Sequence, residues 1–575
     1  MEGFFAGCKW SQTGEKLLTP MKKHLGLVLL LPLVGLASPA FDLMLFNGNI
    51  YTGNAAQPRA EVVIVQDGHI TYVGTNAEAQ RLPASPRRAI DLHGATVVPG
   101  LNDAHMHLSG VGFREMEFNL EGTTGIPDLR KKLRARVAVT QPKQWLQGRG
   151  WIETHWTPAV FPRASDLDDL TPDNPVVLKR SDGHAIVVNS LALKLAGIDR
   201  TTPNPSGGEI VRDPATGEVT GMLVDQAMRL VNRLVPGSTA AETERALVVG
   251  AAREVALGWT GVQNAGGSFE EAELTRRLVA EGKIKLRVYD ALSGPGPAAK
   301  KLFQTGAVIG ETQGRYTRRS VKLYIDGALG SRGAALLEPY ADYASSGLLM
   351  NSAENLRPFL AEALRRGIQI QTHAIGDRGN RLMLDLYAEA FGAAHPVSSP
   401  RWRIEHAQII SPADLPRFAA LGVIASMQPS HAIGDLYFAP QRLGPARLVG
   451  AYAWQSLLQS GAVLAVGTDA PVERGEPMIE FYAAVARRSL DGFANADWHL
   501  EQRMTREQAL HAMTLGAAYA AFEEKERGSI EVGKWADFTV LSADIMQIPE
   551  PEILRTKCVM TVVGGEVVAE AKPAH

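Results

Sequence analysis

The sequence has very little cysteine and very little net charge. Only Cys8 and Cys558 occur among 575 residues. Two cysteines exclude a disulfide framework and a thiolate metal cluster. Lys and Arg total 59 against 61 Asp and Glu, a formal charge of -2. A nearly neutral chain lacks the electrostatic footprint of a protein that binds nucleic acid or an anionic membrane, so we expect no nucleic-acid partner.

An apolar run near the N-terminus is too short to cross a bilayer. LGLVLLLPLVGL (residues 25–36) follows Met21-Lys22-Lys23 and precedes the small residues ASPA. Its twelve residues fall below the ~20 that a membrane span needs. The order of basic, apolar and small residues is typical of a bacterial secretory signal, although a buried strand or an uncleaved anchor is the alternative. We predict a leader over residues 1–40 with a signal peptide from Met21, a periplasmic or secreted product, and no stable membrane insertion after cleavage.

Short β-rich segments stand at both ends of the remaining chain. Residues 41–97 alternate strands with Asn-Gly and Asp-Gly turns, which indicates a small antiparallel unit. Short β-rich runs separated by turn residues occur again over residues 525–575. Neither end is long enough for a separate β domain, so we expect both halves to pair into one composite β-sandwich.

The central residues, 98–524, alternate strands and helices. After the strand that ends at His107, apolar runs recur at 261–265, 286–292, 321–327, 368–374, 403–407, 423–429 and 463–470. Helix-like stretches with three- and four-residue apolar spacing precede these runs. Eight such units predict an α/β fold, a (β/α)8 TIM-like barrel with its chemistry at the carboxyl ends of the strands. The roughly 150 residues between the first two strands exceed any ordinary loop and predict an insertion over about 113–240.

Histidines follow several of these strands. GLNDAHMH (residues 100–107) ends the first strand, and residues i and i+2 of a strand point to the same side, so His105 and His107 would face one point. Two histidines at a strand end can also occur by chance. His373, His406 and Asp469 end three later strands, and Lys322 lies in the fourth. Nitrogen ligands with a carboxylate suit a hydrolytic zinc site or a related divalent ion.

The motifs resemble the amidohydrolase superfamily, specifically amidohydrolase family 3 in its YtcJ-like branch. The resemblance rests on VVPGLNDAHMHL, RSDGHAIVVNSLAL, VKLYIDGALGSRGA, IQTHAIGDRGN, RIEHAQII, GTDAPV and GSIEVGKWADFTVL. It implies that His105, His107, His373 and His406 bind metal and that Asp469 binds metal and transfers the proton. It also implies that Lys322 is carboxylated and bridges two metals. An ordinary lysine paired with Asp326 or Asp469 is the alternative, so one or two metals remain open.

The predicted substrate contacts lie in the insertion and in one glycine-rich loop. Arg180, Asp182 and His184 belong to a motif that resembles one reaching over the barrel mouth, and we assign His184 a catalytic role as a hydrogen-bond donor. Trp151 is predicted to line the pocket, with packing inside the insertion as the alternative. Ser331 and Arg332 are predicted to touch substrate, although the glycines beside them can equally serve a turn.

These observations predict an exported metal-dependent hydrolase that cleaves an amide or another non-peptide C–N bond of a small molecule. Two alternatives remain open: an esterase or lactonase that uses the same site, and a catalytically idle periplasmic binding or regulatory protein. A homodimer is compatible with the sequence.

Overall fold

The computed structural model describes residues 41–571 except 83–84, 154–155, 181–184, 206–207, 393–399 and 496–497. The predicted leader, residues 1–40, lies outside this part of the chain. None of the described helices has both the length and the apolar character that a membrane crossing requires.

The N-terminal segment forms seven short strands and one helical turn. These are β1 (Phe41–Phe46), β2 (Asn49–Tyr51), β3 (Arg59–Ala60), β4 (Val62–Gln66), β5 (His69–Gly74), α1 (Asn76–Ala79), β6 (Pro86–Asp91) and β7 (Thr96–Pro99). The segment is not purely antiparallel as predicted, because β1 pairs in parallel with β6 and β2 pairs in parallel with β7. Turn residues predict hairpins only, whereas these parallel pairs join strands that are distant in sequence.

The first barrel strand, β8 (Leu101–Met106), is followed by α2 (Leu108–Met116) and then by the insertion. The insertion contains β9 (Phe118–Asn119), α3 (Ile126–Val137), β10 (Leu146–Trp151), β11 (Val176–Arg180), β12 (Ala185–Val188), α4 (Ser190–Ala196), β13 (Gly208–Arg212), β14 (Val219–Asp225) and α5 (Arg229–Asn232). Its strands form a separate sheet in the order β13-β14-β12-β11-β10-β9. Two apolar clusters flank this sheet, so the insertion has a core of its own.

The chain re-enters the barrel through α6 (Ala240–Leu257), which packs closely on α2. A Cβ on Gly112 would lie 1.7 Å from the carbonyl oxygen of Ala246, so only glycine permits this approach. The elements that follow are β15 (Trp259–Gly267), α7 (Phe269–Ala280), β16 (Arg287–Ser293), α8 (Pro297–Thr305), β17 (Val308–Gly310), α9 (Glu311–Gly314), β18 (Tyr316–Tyr324), α10 (Ala353–Arg365), β19 (Gln369–Ala374) and α11 (Asp377–Phe391).

The second half of the barrel continues the alternation. It comprises β20 (Arg403–His406), α12 (Leu415–Leu421), β21 (Ile424–Met427), α13 (Pro429–Asp435), α14 (Ala439–Leu443), α15 (Trp454–Gln459), β22 (Leu464–Val466), α16 (Pro477–Ala486), α17 (Arg506–Met513) and α18 (Leu515–Ala520). The parallel strand order is β22-β21-β20-β19-β18-β16-β15-β8. These eight strands match the eight predicted runs, which confirms the barrel.

Asp103 closes the barrel between its first and last strands. Its buried carboxylate accepts hydrogen bonds from the backbone N–H of Thr468 at 2.9 Å and of His105 at 3.0 Å. The backbone N–H of Asp469 also donates to the carbonyl of His105 at 2.7 Å. The ends of β8 and β22 are therefore fixed to each other where both strands carry site residues.

The C-terminal segment completes the sandwich with β23 (Phe538–Leu541), α19 (Glu550–Ile553), β24 (Cys558–Val563) and β25 (Glu566–Glu570). One sheet has the order β5-β4-β1-β6, and the other, β25-β24-β23-β7-β2-β3, combines both chain ends. Apolar side chains of the two sheets share one core. This confirms the composite β-sandwich.

A buried ion pair joins the sandwich to the barrel. Arg287 at the start of β16 donates to Asp537 through Nε at 2.7 Å and Nη2 at 2.9 Å. Both side chains are nearly inaccessible to solvent. The pair therefore holds the two parts of the fold in a fixed relation.

Asp537→Ala should destabilise the protein by about 3–5 kcal/mol, because it leaves the Arg287 guanidinium buried and without its carboxylate. Glu570→Ala, which removes an exposed ion pair with Arg88, is the control and should cost at most about 1 kcal/mol. Urea denaturation followed by tryptophan fluorescence measures both. Equal effects of the two substitutions would contradict a structural role for the buried pair.

Candidate metal centre

The carboxyl ends of the first and last barrel strands bring three metal-ligating side chains together. The ligand atoms of His105, His107 and Asp469 lie within 4.8 Å of one another. Nε2 of His107 is 3.1 Å and Nε2 of His105 is 3.6 Å from Oδ1 of Asp469. The two histidines of GLNDAHMH therefore do face one point.

A second group shares Asp469 and includes a histidine that the sequence analysis missed. The ligand atoms of His406, His431 and Asp469 also lie within 4.8 Å of one another. His431 lies in α13, shortly after the seventh barrel strand ends at Met427. The signal that could have identified it is a histidine just beyond a strand end, outside the strand itself.

His373 and Lys322 border these groups. The rings of His373 and His406 have centroids 4.6 Å apart, and Nε2 of His373 lies 3.5 Å from Oδ1 of Asp326. Nζ of Lys322 is 3.2 Å from Nε2 of His105. Burial lowers the pKa of Lys322 to about 8. In the described part of the chain, Lys322 forms no direct ion pair, but the charges of Glu405 and Asp469 act on its amine, so both roles that we gave for Lys322 stay predictions.

Glu405 and Arg403 orient His105, and the sequence analysis missed both. Nδ1 of His105 lies 2.5 Å from Oε2 of Glu405, and Nε of Arg403 donates to Oε1 of Glu405 at 2.6 Å. Burial opposes the charge of Glu405, but Arg403 and His105 together hold its pKa well below the usual range. Because the carboxylate accepts from Nδ1–H, the lone pair of His105 is on Nε2 and faces the site.

The protonation states suit metal ligands. Burial lowers the pKa of His105 to about 4 and that of His373 to about 3, and it lowers the pKa of His406 well below the usual value. Burial opposes the charge of Asp469, yet His107, His105 and His406 hold its pKa well below the usual range. Neutral imidazoles with an ionised carboxylate are the forms that bind a divalent metal.

Unpaired buried atoms support the same conclusion. Among the described residues, Nε2 of His373, Nε2 of His431 and Oδ1 of Asp469 are buried and make no hydrogen bond. Each such atom costs about 1–3 kcal/mol unless a ligand satisfies it. His406 and Asp469 also have φ values of 74° and 57°, which are strained for non-glycine residues. The residues present therefore fit a divalent metal.

The predicted contacts of the insertion have mixed outcomes. Trp151 is fully buried, and its Nε1 donates to the carbonyl of Leu178 at 2.8 Å. It lies in the core of the insertion beside Trp156, so the structure favours the packing alternative over substrate contact. Arg180 pairs with Glu153 through Nε at 2.8 Å. Asp182 and His184 lie outside the described residues.

The glycine-rich loop after β18 is organised by Asp326. Its carboxylate accepts from the backbone N–H groups of Ala335, Ile375 and Gly376 at 2.8–2.9 Å. Arg332 pairs with Asp342 at 2.8 Å, and the Ser331 hydroxyl makes a local bond at 3.4 Å to Ala328. In this structure both side chains are engaged within their loops and not at the metal centre.

Comparisons with known proteins agree with this geometry. The model of the amidohydrolase family matches residues 88–569. The putative amidohydrolase YtcJ of Bacillus subtilis is 32% identical, covering 91% of this chain and 98% of its own. The N-substituted formamide deformylase of Arthrobacter pascens is 28% identical, covering 91% and 97%. An uncharacterized metal-dependent hydrolase from Pyrococcus horikoshii has a TM-score of 0.71 at 26% identity, covering 88% and 99%.

The family match extends over the barrel, the insertion and nearly all of the C-terminal half of the sandwich, and its residues include every histidine of the metal centre. The chain therefore belongs to the amidohydrolase family and is a metal-dependent hydrolase of that family, as its motifs predicted.

Proposed function

We propose that this enzyme hydrolyses an amide or another non-peptide C–N bond of a small molecule. The observation that carries the proposal is the position of Asp469. Its Oδ1 faces His105 and His107, whereas its Oδ2 lies 3.6 Å from Nε2 of His431. One carboxylate can thus serve the metal on one side and a leaving group on the other. The similarity to a relative named for deformylation of N-substituted formamides supports a C–N bond.

Zinc is the metal that we propose, because imidazole nitrogens with a carboxylate and room for water suit it. When bound, such a metal polarises a substrate carbonyl and makes hydroxide available near neutral pH. His105 and His406 offer neutral nitrogens for it, His107 adds a third imidazole, and Glu405 keeps Nε2 of His105 unprotonated. Asp469 accepts the proton of the attacking water and delivers it from Oδ2 to the leaving nitrogen.

Lys322 carries a carbamate in this proposal. Its lowered pKa makes the neutral amine accessible, which is the form that reacts with CO2, with release of one proton. Its Nζ lies 3.2 Å from Nε2 of His105, within the ligand cluster. A carbamate there would give the centre the additional anionic oxygens that a second metal needs, so we propose two metals per chain.

Export and the role of the insertion are proposals that rest on the sequence. The signal-like residues 21–40 support a periplasmic or secreted enzyme. The length of the insertion after the first strand supports its use in selecting substrate, because long ordered loops at a catalytic face are usually binding elements. His184 is the residue that we propose as the hydrogen-bond donor from that insertion.

Metal removal tests the function. The purified protein should contain about two zinc ions per chain, the number that the proposed bridge requires. It should hydrolyse some members of a panel of N-acyl, N-formyl and cyclic amides, and chelation should abolish this until zinc is restored. Esters in the same panel test the alternative substrate class. Full amide hydrolysis by metal-free protein would contradict the mechanism.

Asp469→Asn should lower kcat by roughly 10²–10⁴-fold, because the amide cannot accept the proton. The variant keeps an oxygen that can bind metal, so metal content separates loss of proton transfer from loss of the centre. Asp169→Asn, which changes an exposed carboxylate of the insertion, is the matched control. Near-normal kcat in Asp469→Asn would assign proton transfer to another group.

Glu405→Gln should weaken metal binding by about 10–100-fold, the usual cost of losing a partner that orients a ligating histidine. Competition with a chelating dye measures the dissociation constant without any substrate. Glu389→Gln, an exposed change on α11, should have no effect. Unchanged metal affinity in Glu405→Gln would show that His105 is oriented without this carboxylate.

A further inference from the structure

A cavity of about 390 Å³ opens beside the metal centre, between the loops that follow the seventh and eighth barrel strands. Its apolar wall consists of Ile433, Tyr437, Ile479 and Leu490. Its volume is in the range of pockets that hold small organic ligands. The cavity is large enough for an apolar substituent, and its residues have no part in the metal ligand set.

Glu473 stands where the cavity meets the metal centre. It lines the cavity, and its Oε1 lies 3.8 Å from Nε2 of His431, which is 3.6 Å from Oδ2 of Asp469. The cavity therefore adjoins the metal centre at His431, which is the neighbour of Oδ2 of Asp469. In the proposed reaction Oδ2 is the atom from which the leaving nitrogen receives its proton.

The charged side chains of the cavity favour a ligand that donates a hydrogen bond. The guanidinium of Arg474 is paired with Glu476 at 2.8 Å. The carboxylate of Asp491 is bonded to the Ser489 hydroxyl and the Phe493 N–H, within its own turn. Among the described residues, Glu473 has His431 as its ion-pair neighbour and no cation of lysine or arginine. The carboxyl oxygens of Glu473 are thus left to accept a hydrogen bond from a ligand.

Arg487, three residues before Leu490, is anchored independently of any ligand. Arg487 is buried and donates to the backbone carbonyls of Trp498, Tyr452 and Ala451 at 2.8–2.9 Å. Its guanidinium also lies between the rings of Trp454 and Trp498, at 4.7 and 5.2 Å. Pre-formed walls of this kind select ligands by size.

We infer that this cavity binds the amine half of the substrate, with its apolar substituent against Ile433, Tyr437, Ile479 and Leu490 and its N–H donated to Glu473. The inference rests on the proposed C–N hydrolysis and names the substrate class: amides whose nitrogen carries an alkyl or arylalkyl substituent. An acidic group next to the nitrogen is rejected, because Glu473 repels it.

Hydrolysis of a formamide series tests the substrate class. With metal-loaded protein, kcat/KM should rise by about 10-fold or more from N-methylformamide to N-butylformamide and N-(2-phenylethyl)formamide, since each buried methylene contributes. N-formylglycine should be a poor substrate, and Glu473→Gln should improve it. Leu490→Trp, which narrows the cavity, should reduce hydrolysis of the phenylethyl compound by about 10-fold and preserve that of the methyl compound.

Binding of an amine product tests the cavity without turnover. In calorimetry with metal-free protein, 2-phenylethylamine should bind at least 10-fold more weakly to Glu473→Gln than to the unsubstituted protein. The reason is that the variant loses a hydrogen bond between charged groups. The amine should also bind more weakly to Leu490→Trp. Glu570→Gln and Ile309→Trp, both on exposed residues away from the cavity, are the controls. If Leu490→Trp does not fold, Leu490→Ala should still weaken binding by removing apolar contact.

The outcomes separate the two proposals. If no amide is hydrolysed but the amine binds through Glu473 and Leu490, the proposed function is wrong and the inferred cavity ligand stands as an amine. If amides are hydrolysed while Glu473→Gln and Leu490→Trp leave amine binding and chain-length preference unchanged, the inference is overturned.

Discussion

The buried contact between His105 and Glu405 is the interaction on which the metal centre depends. An isolated carboxylate at this depth would be strongly destabilised, so Glu405 requires both its partners. Arg403 supplies the compensating charge and also donates to the carbonyl of Ala104 at 2.6 Å and to Ser426 at 3.1 Å. These bonds join three barrel strands through one guanidinium. The orientation of the ligand His105 is therefore coupled to the stability of the barrel interior.

Hydrogen bonds of the barrel interior also explain why two residues at the site keep strained backbone angles. His406 and Asp469 both have left-handed backbone angles, which cost of order 1–3 kcal/mol each. Asp103 holds the last strand against the first just before Asp469, and the ring of His406 is hydrogen-bonded through Nδ1 to Gln428 at 2.8 Å. Because these bonds restrain the chain near Asp469 and the ring of His406, the strained backbone angles are maintained. The side chains of both residues therefore stay directed toward the site.

Sequence reasoning predicted the features that local pattern encodes. Alternating apolar runs predict the strands, and the i, i+2 spacing of His105 and His107 predicts their common direction. The partner of His105 lies 300 residues away at Glu405, and no spacing rule connects such positions. His431 was missed because it follows its strand by a helical turn. Trp151 was ambiguous because an aromatic side chain suits a pocket wall and a domain core equally.

The residues that can hold a metal and the cavity that we propose to bind the amine are held in place by different contacts. His105 and His406 lie on barrel strands that Arg403 and Glu405 join inside the barrel, and Asp103 holds the last strand beside the first just before Asp469. Near the cavity, Arg487 is instead anchored by the carbonyl of Trp498 and by the rings of Trp454 and Trp498. If the cavity binds the amine as we propose, changes in the loop that carries Leu490 can alter which amine fits while Arg403 still holds Glu405 and His105. His431 lies between the two regions, because its Nε2 is 3.6 Å from Oδ2 of Asp469 and 3.8 Å from Oε1 of Glu473.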